Sequence, residues 1–337
     1  MTTRLDLIPA ERREAARVAL RATFGARPIE GLALLKGGVS GAPIYRVGVG
    51  DRSYVLRLEP ERVALEHGQR GYACMVAAAA VGVAPAVHYA DAAAGVAIMD
   101  FVEGRPLSEH PGGAAGLARA LGGLVARIQA TAPFPLLGGG EDMIAGLLAA
   151  LAASDLFAPG LLDPHAEGLA KLRAACPWEP SAFVSSHNDP NPRNMIFDGA
   201  RVWLVDWELA SRNDPLFDIA ILTTELAATP DLADILLTAA LGRAPDAAPR
   251  ARLAVTRLIT RLFYGCIVLE TFVAAPRAGP VTSLEAFTPA GFLDAVADGA
   301  LASGAPETAY AFGLMSLAAF LDGVTAPDFA ATLSLAS

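Results

Sequence analysis

Lysine is almost missing from this 337-residue chain, which has only Lys36 and Lys171 beside 24 arginines. Charge of either sign is thin: charged residues make up 18% of the chain and hydrophobic residues 53%, a balance that excludes a disordered polyelectrolyte. Cations fall short of acids, 26 against 35, for a formal net charge of −9. A phosphate backbone calls for clustered cations, so no nucleic acid is expected as the main partner. Cysteine is scarce too. Cys74, Cys176 and Cys266 stand far apart without CxxC spacing, which argues against a disulfide framework or a zinc site and fits a reducing compartment. Long uncharged runs are also few. The longest, residues 71–90, has about the length of a membrane span. It is mostly alanine, however, and is interrupted by Gly82, Pro85 and His88. It therefore reads as a core helix followed by a strand, and no membrane span is expected. Residues 1–25 carry charges throughout and show no apolar signal core, so a cytoplasmic location is expected.

What is present changes character along the chain. Residues 9–24 have a helical pattern, with proline near the start and Gly25 as a stop. Residues 32–39, 44–49 and 53–59 read as short strands separated by Gly-rich or Gly-Asp turns. In the third of these, Tyr54, Leu56 and Leu58 alternate with Val55, Arg57 and Glu59. Residues 61–81 predict an alanine-rich helix, and residues 85–90 and 96–102 a hairpin. After Gly104 the pattern is mostly helical, over residues 114–130, 143–153, 165–175, 232–241, 251–274 and 308–321. The fold class is α+β: a small sheet-rich lobe, residues 1–102, before a larger helical lobe, residues 103–337.

One window departs from the alanine background. From His187 to Glu225 there are seven acidic residues and three arginines, a local balance of −4. Its first part, residues 187–194 (HNDPNPRN), contains two prolines and several asparagines and must be a loop. Residues 195–197 and 202–205 then form a hairpin across the Asp198–Gly199 turn, and Asp206 follows at the strand end. That hairpin returns Asp206 toward Asn194. Asp189, Asn194 and Asp206 thus surround one point with oxygen donors, a hard-ligand set suited to Mg²⁺ with substrate phosphates completing the shell.

H-x-D-x-x-x-x-N followed twelve residues later by D resembles the catalytic loop and metal aspartate of eukaryotic-type kinases. With the DWELASRNDPLFDIA stretch after it, the window is most similar to the aminoglycoside phosphotransferase/choline kinase family. The resemblance covers residues 32–225 well and the later helices only in character. It implies a two-lobed protein-kinase-like fold and transfer of the γ-phosphate of ATP, with Mg²⁺, to a hydroxyl of a small molecule. Asp189 then matches the catalytic aspartate, Asn194 and Asp206 the Mg²⁺ ligands, and Asp218 a buried aspartate that supports the loop. His187 matches a residue that braces the loop, which a satisfied loop histidine would also do. Asp214, before Pro215, is read as a helix N-cap.

The same resemblance implies a nucleotide site. Gly37, Gly38 and Ser40 lie in a glycine-rich stretch between the first two strands, where backbone amides approach phosphates, although any hairpin carries glycines. Arg57 takes the place of the phosphate-gripping cation; as a bare sequence position it is also simply an outward residue on an alternating strand. Lys36, on another strand, cannot replace it. The cation's usual glutamate partner would fall near Gly71, which has no side chain; Glu66 reaches only from a shifted helix, and Glu61 and Glu59 are less suited still. Met99, Asp100 and Val102 match the hinge that bonds adenine, with Val55 and Met99 flanking the base.

For the acceptor, a negative window beside the site favours a neutral or cationic hydroxyl compound, an amino alcohol or an amino sugar. Trp207 and Glu208 are candidate substrate contacts; Glu208 and Glu225 remain open between contact and structure. Phe263 and Tyr264 are open between an aromatic cage and helix core. The alternative function is a weak or inactive kinase-like protein that binds nucleotide or metabolite without turnover, a reading that rests on Gly71.

Overall fold

The computed structural model describes residues 5–35, 43–59, 69–136, 143–277 and 279–336. Two compact units divide the chain: residues 1–136 with 183–243, and residues 137–182 with 244–337. Each is described by itself.

The first unit is built on a five-stranded antiparallel sheet. Its strands are β1 (Gly31–Leu34), β2 (Ile44–Val49), β3 (Arg52–Leu58), β4 (Val87–Asp91) and β5 (Val96–Asp100), in the order β1-β2-β3-β5-β4. The two-residue period of β3 works as its sequence implies. Tyr54, Leu56 and Leu58 join Tyr45, Val47, Val96 and Ile98 on one face, where Ala16, Ala19, Leu20 and Phe24 of the helix Arg13–Phe24 cover them. Each fully buried aliphatic or aromatic side chain here contributes roughly 1.5–3 kcal/mol. The opposite face holds the chemistry-bearing residues. Val55 pairs directly with Met99, and Arg57 lies two residues further along the same face.

The helix expected over 61–81 is present as Gln69–Ala80, and the uncharged run continues through a turn into β4. Glu61 and Glu66 lie outside the described residues, as do Lys36, Gly37, Gly38 and Ser40. The helix Gly113–Gln129 packs on the helix Pro230–Leu241 so closely that a Cβ on Gly122 would overlap the Leu236 carbonyl oxygen.

Two short ladders carry the polar window: β6 (Val184–Ser186) with β9 (Ser211–Asn213), and β7 (Met195–Phe197) with β8 (Val202–Leu204). The β7–β8 hairpin was expected from the Asp198–Gly199 turn, whereas β6 and β9 were not. Only three residues long, each shows too little alternation to register as a strand. The hairpin is tied back to the sheet side of the unit where the Leu204 amide donates to the Val83 carbonyl at 2.9 Å. Asp214 makes the expected N-cap bond, three residues before the regular helix begins. Its carboxylate accepts from the Leu216 amide at 2.8 Å, capping the turn that leads into the helix Phe217–Glu225.

The second unit is helical, around the helices Ala247–Glu270 and Pro306–Thr325. Gly265 and Gly313 lie at their contact, beside Leu317 and Leu269. Among the described residues Pro306–Thr325 alone is long and apolar enough to cross a membrane. Half of that window is buried inside the unit, with Leu314, Leu317 and Phe320 in the core.

Candidate active site

The loop 187–194 is held by side chains that satisfy its backbone. Asp218, 2% exposed near the start of its helix, accepts the His187 amide through Oδ2 and the Asn188 amide through Oδ1, both at 2.8 Å. Burial raises the pKa of this carboxyl above the ordinary aspartate value, against the opposing influence of His187 and the donated hydrogen bonds. The His187 ring is fully buried. Its Nδ1 accepts from the Asp189 amide at 3.3 Å, so Nε2 carries the proton and donates to the Val205 carbonyl at 3.0 Å. One imidazole thus links the loop to the strand end before Asp206.

Asn188 adds a brace that its sequence position does not announce. Its amide donates to the Leu209 carbonyl at 2.9 Å and the Ser211 hydroxyl at 2.7 Å, and its oxygen accepts from Asn213 at 2.8 Å. Among the described residues the non-glycine positions with positive φ are Asn188 and Asp206, both at 66°. Both types tolerate the left-handed region through short polar side chains, and such backbone clusters at functional sites. Here the two positions bracket the loop and hairpin.

Asp189 faces amides. Asn191 donates to its Oδ1 at 2.7 Å and Asn194 to its Oδ2 at 2.8 Å. With its amide nitrogen turned to Asp189, Asn194 keeps its carbonyl oxygen for another partner. The Val205 amide donates to the Asn194 backbone carbonyl at 3.0 Å, which closes the hairpin and returns the chain so that Asp206 follows directly. Among the described residues no three His, Cys, Asp or Glu side chains group to hold a metal. The donor set is instead one amide oxygen and one carboxylate, Asp206 being about one-third exposed. That chemistry fits Mg²⁺, which keeps waters and phosphate oxygens and takes one or two protein oxygens.

Arg57 reaches this cluster from β3. Its side chain is 11% exposed and meets three carboxylates: Glu59 at 3.3 Å, Asp206 at 3.5 Å, and Glu208 in a direct hydrogen bond. Burial alone would lower the guanidinium pKa, but Asp206, Glu208 and Glu59 outweigh it and raise it. Burial raises the Glu208 pKa, and the charges of Asp206 and Glu59 add to that; Arg57 opposes it. The outward-residue reading of Arg57 therefore fails. Glu59, set aside in the sequence as a partner for this cation, pairs with it from the same strand face, and the Glu208 contact needed the fold.

The remaining candidates divide. Trp207 is 4% exposed and packs against His187, with ring centroids 4.5 Å apart, and against Phe134. This interior position separates it from the substrate role expected for it. Glu225 is exposed at the end of its helix. Asp100 turns its carboxylate to His88 at 2.8 Å and Arg52 at 3.2 Å. Asp100 and Val102 also line a cavity of about 350 Å³ whose lining includes Ser53 and Trp203 but not Val55, Met99 or Arg57. Ile196, which no motif pointed to, lies beside Gly104, where a Cβ would sit 3.5 Å from its Cγ2. Phe263 is fully buried beside Tyr264, which decides that ring for helix core.

A loop carboxylate held by amides, with a sheet arginine reaching across to the carboxylate behind a hairpin, defines a kinase-like phosphotransferase. Comparison agrees. Residues 31–254 match the model of the phosphotransferase enzyme family, and the chain belongs to that family. Among solved structures, a choline/ethanolamine kinase family protein from Mesorhizobium loti is similar over 96% of this chain and 99% of its own, at 22% identity and a TM-score of 0.64. The macrolide 2'-phosphotransferase MphH from Brachybacterium faecium is similar over 80% and 99%, at 19% identity and a TM-score of 0.55. These likenesses establish the protein-kinase-like fold. Protein LicA of Haemophilus influenzae is 45% identical over 51 residues, 15% of this chain and 19% of that protein.

Proposed function

We propose that this protein is an ATP- and Mg²⁺-dependent small-molecule kinase, with residues 1–102 as the nucleotide lobe and 103–337 as the catalytic and substrate lobe. Asp189 orients the acceptor hydroxyl and accepts its proton. Asn194 and Asp206 hold Mg²⁺, which when bound neutralises phosphate charge, and Arg57 meets the phosphates. His187 and Asp218 keep the loop in place. Met99, Asp100 and Val102 form the adenine edge, and Gly37, Gly38 and Ser40, outside the described residues, are assigned to the phosphates by the motif alone. The observation that carries this reading is the convergence of Arg57 and Asp206 beside the braced Asp189 loop.

Of the similar proteins, one is a choline/ethanolamine kinase family protein and another a macrolide 2'-phosphotransferase. The acceptor class we favour is a neutral or cationic hydroxyl compound, an amino alcohol or amino sugar, because of the negative balance around the site. A cytoplasmic location fits the three cysteines, which are buried and in no disulfide among the described residues. The reading as a binder without turnover rested on Gly71; the carboxylates of Glu59 and Glu208 on Arg57 favour turnover over it.

The test is ADP release from MgATP across choline, ethanolamine, amino sugars and neutral sugars. Acceptor-dependent turnover by at least one of the first three is the expected result. A MgATP-dependent thermal shift with no turnover on any acceptor would instead favour the binding protein.

A further inference from the structure

We infer that Glu208 is the residue that positions Arg57 for the nucleotide, and that Gly71 is glycine so that the backbone carrying Glu208 can approach the helix Gln69–Ala80. The inference rests on the kinase reading above and deepens it. A guanidinium as buried as that of Arg57 is held in place by its carboxylates, since an unpaired charge there would be strongly destabilising. Glu59 sits on the same strand and touches the Nε edge at 3.3 Å, so it can fix the stem of the side chain but not its far end. The far end is shared: Glu208 hydrogen-bonds Nη2, while Asp206 is 3.5 Å from Nη1. Glu208 therefore draws the arginine from Asp206, leaving that carboxylate the looser contact and the freer ligand.

The helix explains the glycine. A Cβ on Gly71 would lie 3.2 Å from the Trp207 carbonyl oxygen and 3.5 Å from the Glu208 Cα. The first distance is tighter than ordinary contact, so a side chain there would press on the very segment that presents Glu208. Arg70 reinforces the approach, donating to the Glu208 carbonyl at 2.7 Å and the Ala210 carbonyl at 3.2 Å. A side chain missing from the helix at residue 71 and a carboxylate supplied from residue 208 are thus one arrangement. Glu208 acts through Arg57; it is a positioning residue, not a catalytic one.

The test measures nucleotide binding by calorimetry on the full chain, with MgATP and with ATP in EDTA, beside steady-state kinetics. Glu208→Gln should weaken MgATP binding about tenfold, the scale of one charge-assisted hydrogen bond. Binding of ATP in EDTA should weaken by a similar factor, because Arg57 meets the phosphates with or without the metal; a loss confined to MgATP would make Glu208 a metal ligand and overturn the inference. The acceptor KM at saturating MgATP should stay within about twofold, below what a lost substrate hydrogen bond would cost. Glu208→Asp should restore part of the loss. Gly71→Ala, whose methyl group displaces the same segment, should act in the same direction, and it stands in if Glu208→Gln does not fold. A raised acceptor KM with unchanged MgATP affinity would make Glu208 a substrate contact and overturn the inference. So would a MgATP defect in Glu66→Gln that Glu208→Gln lacks. Failure of the unaltered protein to bind MgATP would remove the kinase reading and the inference together; binding with no Glu208 effect would remove the inference alone.

Discussion

Replacing Asp218 by Asn tests whether the catalytic loop is held by one buried carboxylate. In the native protein its two oxygens accept the His187 and Asn188 amides at 2.8 Å each. Asparagine keeps the shape but has one acceptor oxygen, so its NH₂ must face one of those two N–H groups. One backbone donor is then buried without a partner, at about 1–3 kcal/mol. The surviving bond loses its charge assistance, roughly half its strength. Against this stands relief from burying a carboxylate, whose raised pKa records that cost. A net loss of about 2–3 kcal/mol follows, measurable as a lower urea midpoint at unchanged m-value. Because the loop carries Asp189, kcat should also fall, by about 100-fold for a displacement near 1 Å, with the ATP KM little changed. Stability within about 0.5 kcal/mol of the unaltered protein, together with an unchanged kcat, would refute the reasoning.

Three further outcomes are expected. His165 is fully buried against Phe320, donating to the Leu317 carbonyl at 3.2 Å, and burial pushes its pKa down to about 4. The folded pKa lies below the unfolded one, so the group has no effect above pH 6.5 and costs stability as pH falls from there toward 4; the loss should reach about 3 kcal/mol in urea titrations and be largely absent in His165→Gln. Gly122→Ala should cost about 1–3 kcal/mol in thermal unfolding, because its Cβ would overlap the Leu236 carbonyl. Gly123→Ala has nothing within 4 Å of its Cβ and should stabilise the same helix by up to about 1 kcal/mol.

Much of this was legible in the sequence because the informative contacts are local. Alternation in β3 put Arg57 and Val55 on one face, and the Asp198–Gly199 turn fixed the hairpin that returns Asp206. The helix Phe217–Glu225 is buried nearly all round, so its sequence shows no amphipathic period; it was anticipated only through the Asp214–Pro215 start. The helices Pro289–Ala297 and Phe329–Ala336 were not foreseen, being short and without a buried stripe to mark them. The Arg57–Glu208 pair joins positions 151 apart, and the Asn188–Asn213 bond ties the loop after β6 to β9, a strand too short to announce itself. Trp207 was misjudged for a related reason: an aromatic beside a metal-type aspartate looks available until Phe134 and His187 are packed on it. Gly71 looked like a missing catalytic group, and only the approach of Trp207 and Glu208 gives it a purpose.

The most direct measurement of the central claim follows γ-phosphate transfer in a single turnover by Asp189→Asn, alongside its MgATP affinity. MgATP binding within about threefold of the unaltered protein, with transfer slowed by at least about 100-fold, is the predicted result. Transfer at the unaltered rate would show that Asp189 is not the residue that takes the acceptor's proton.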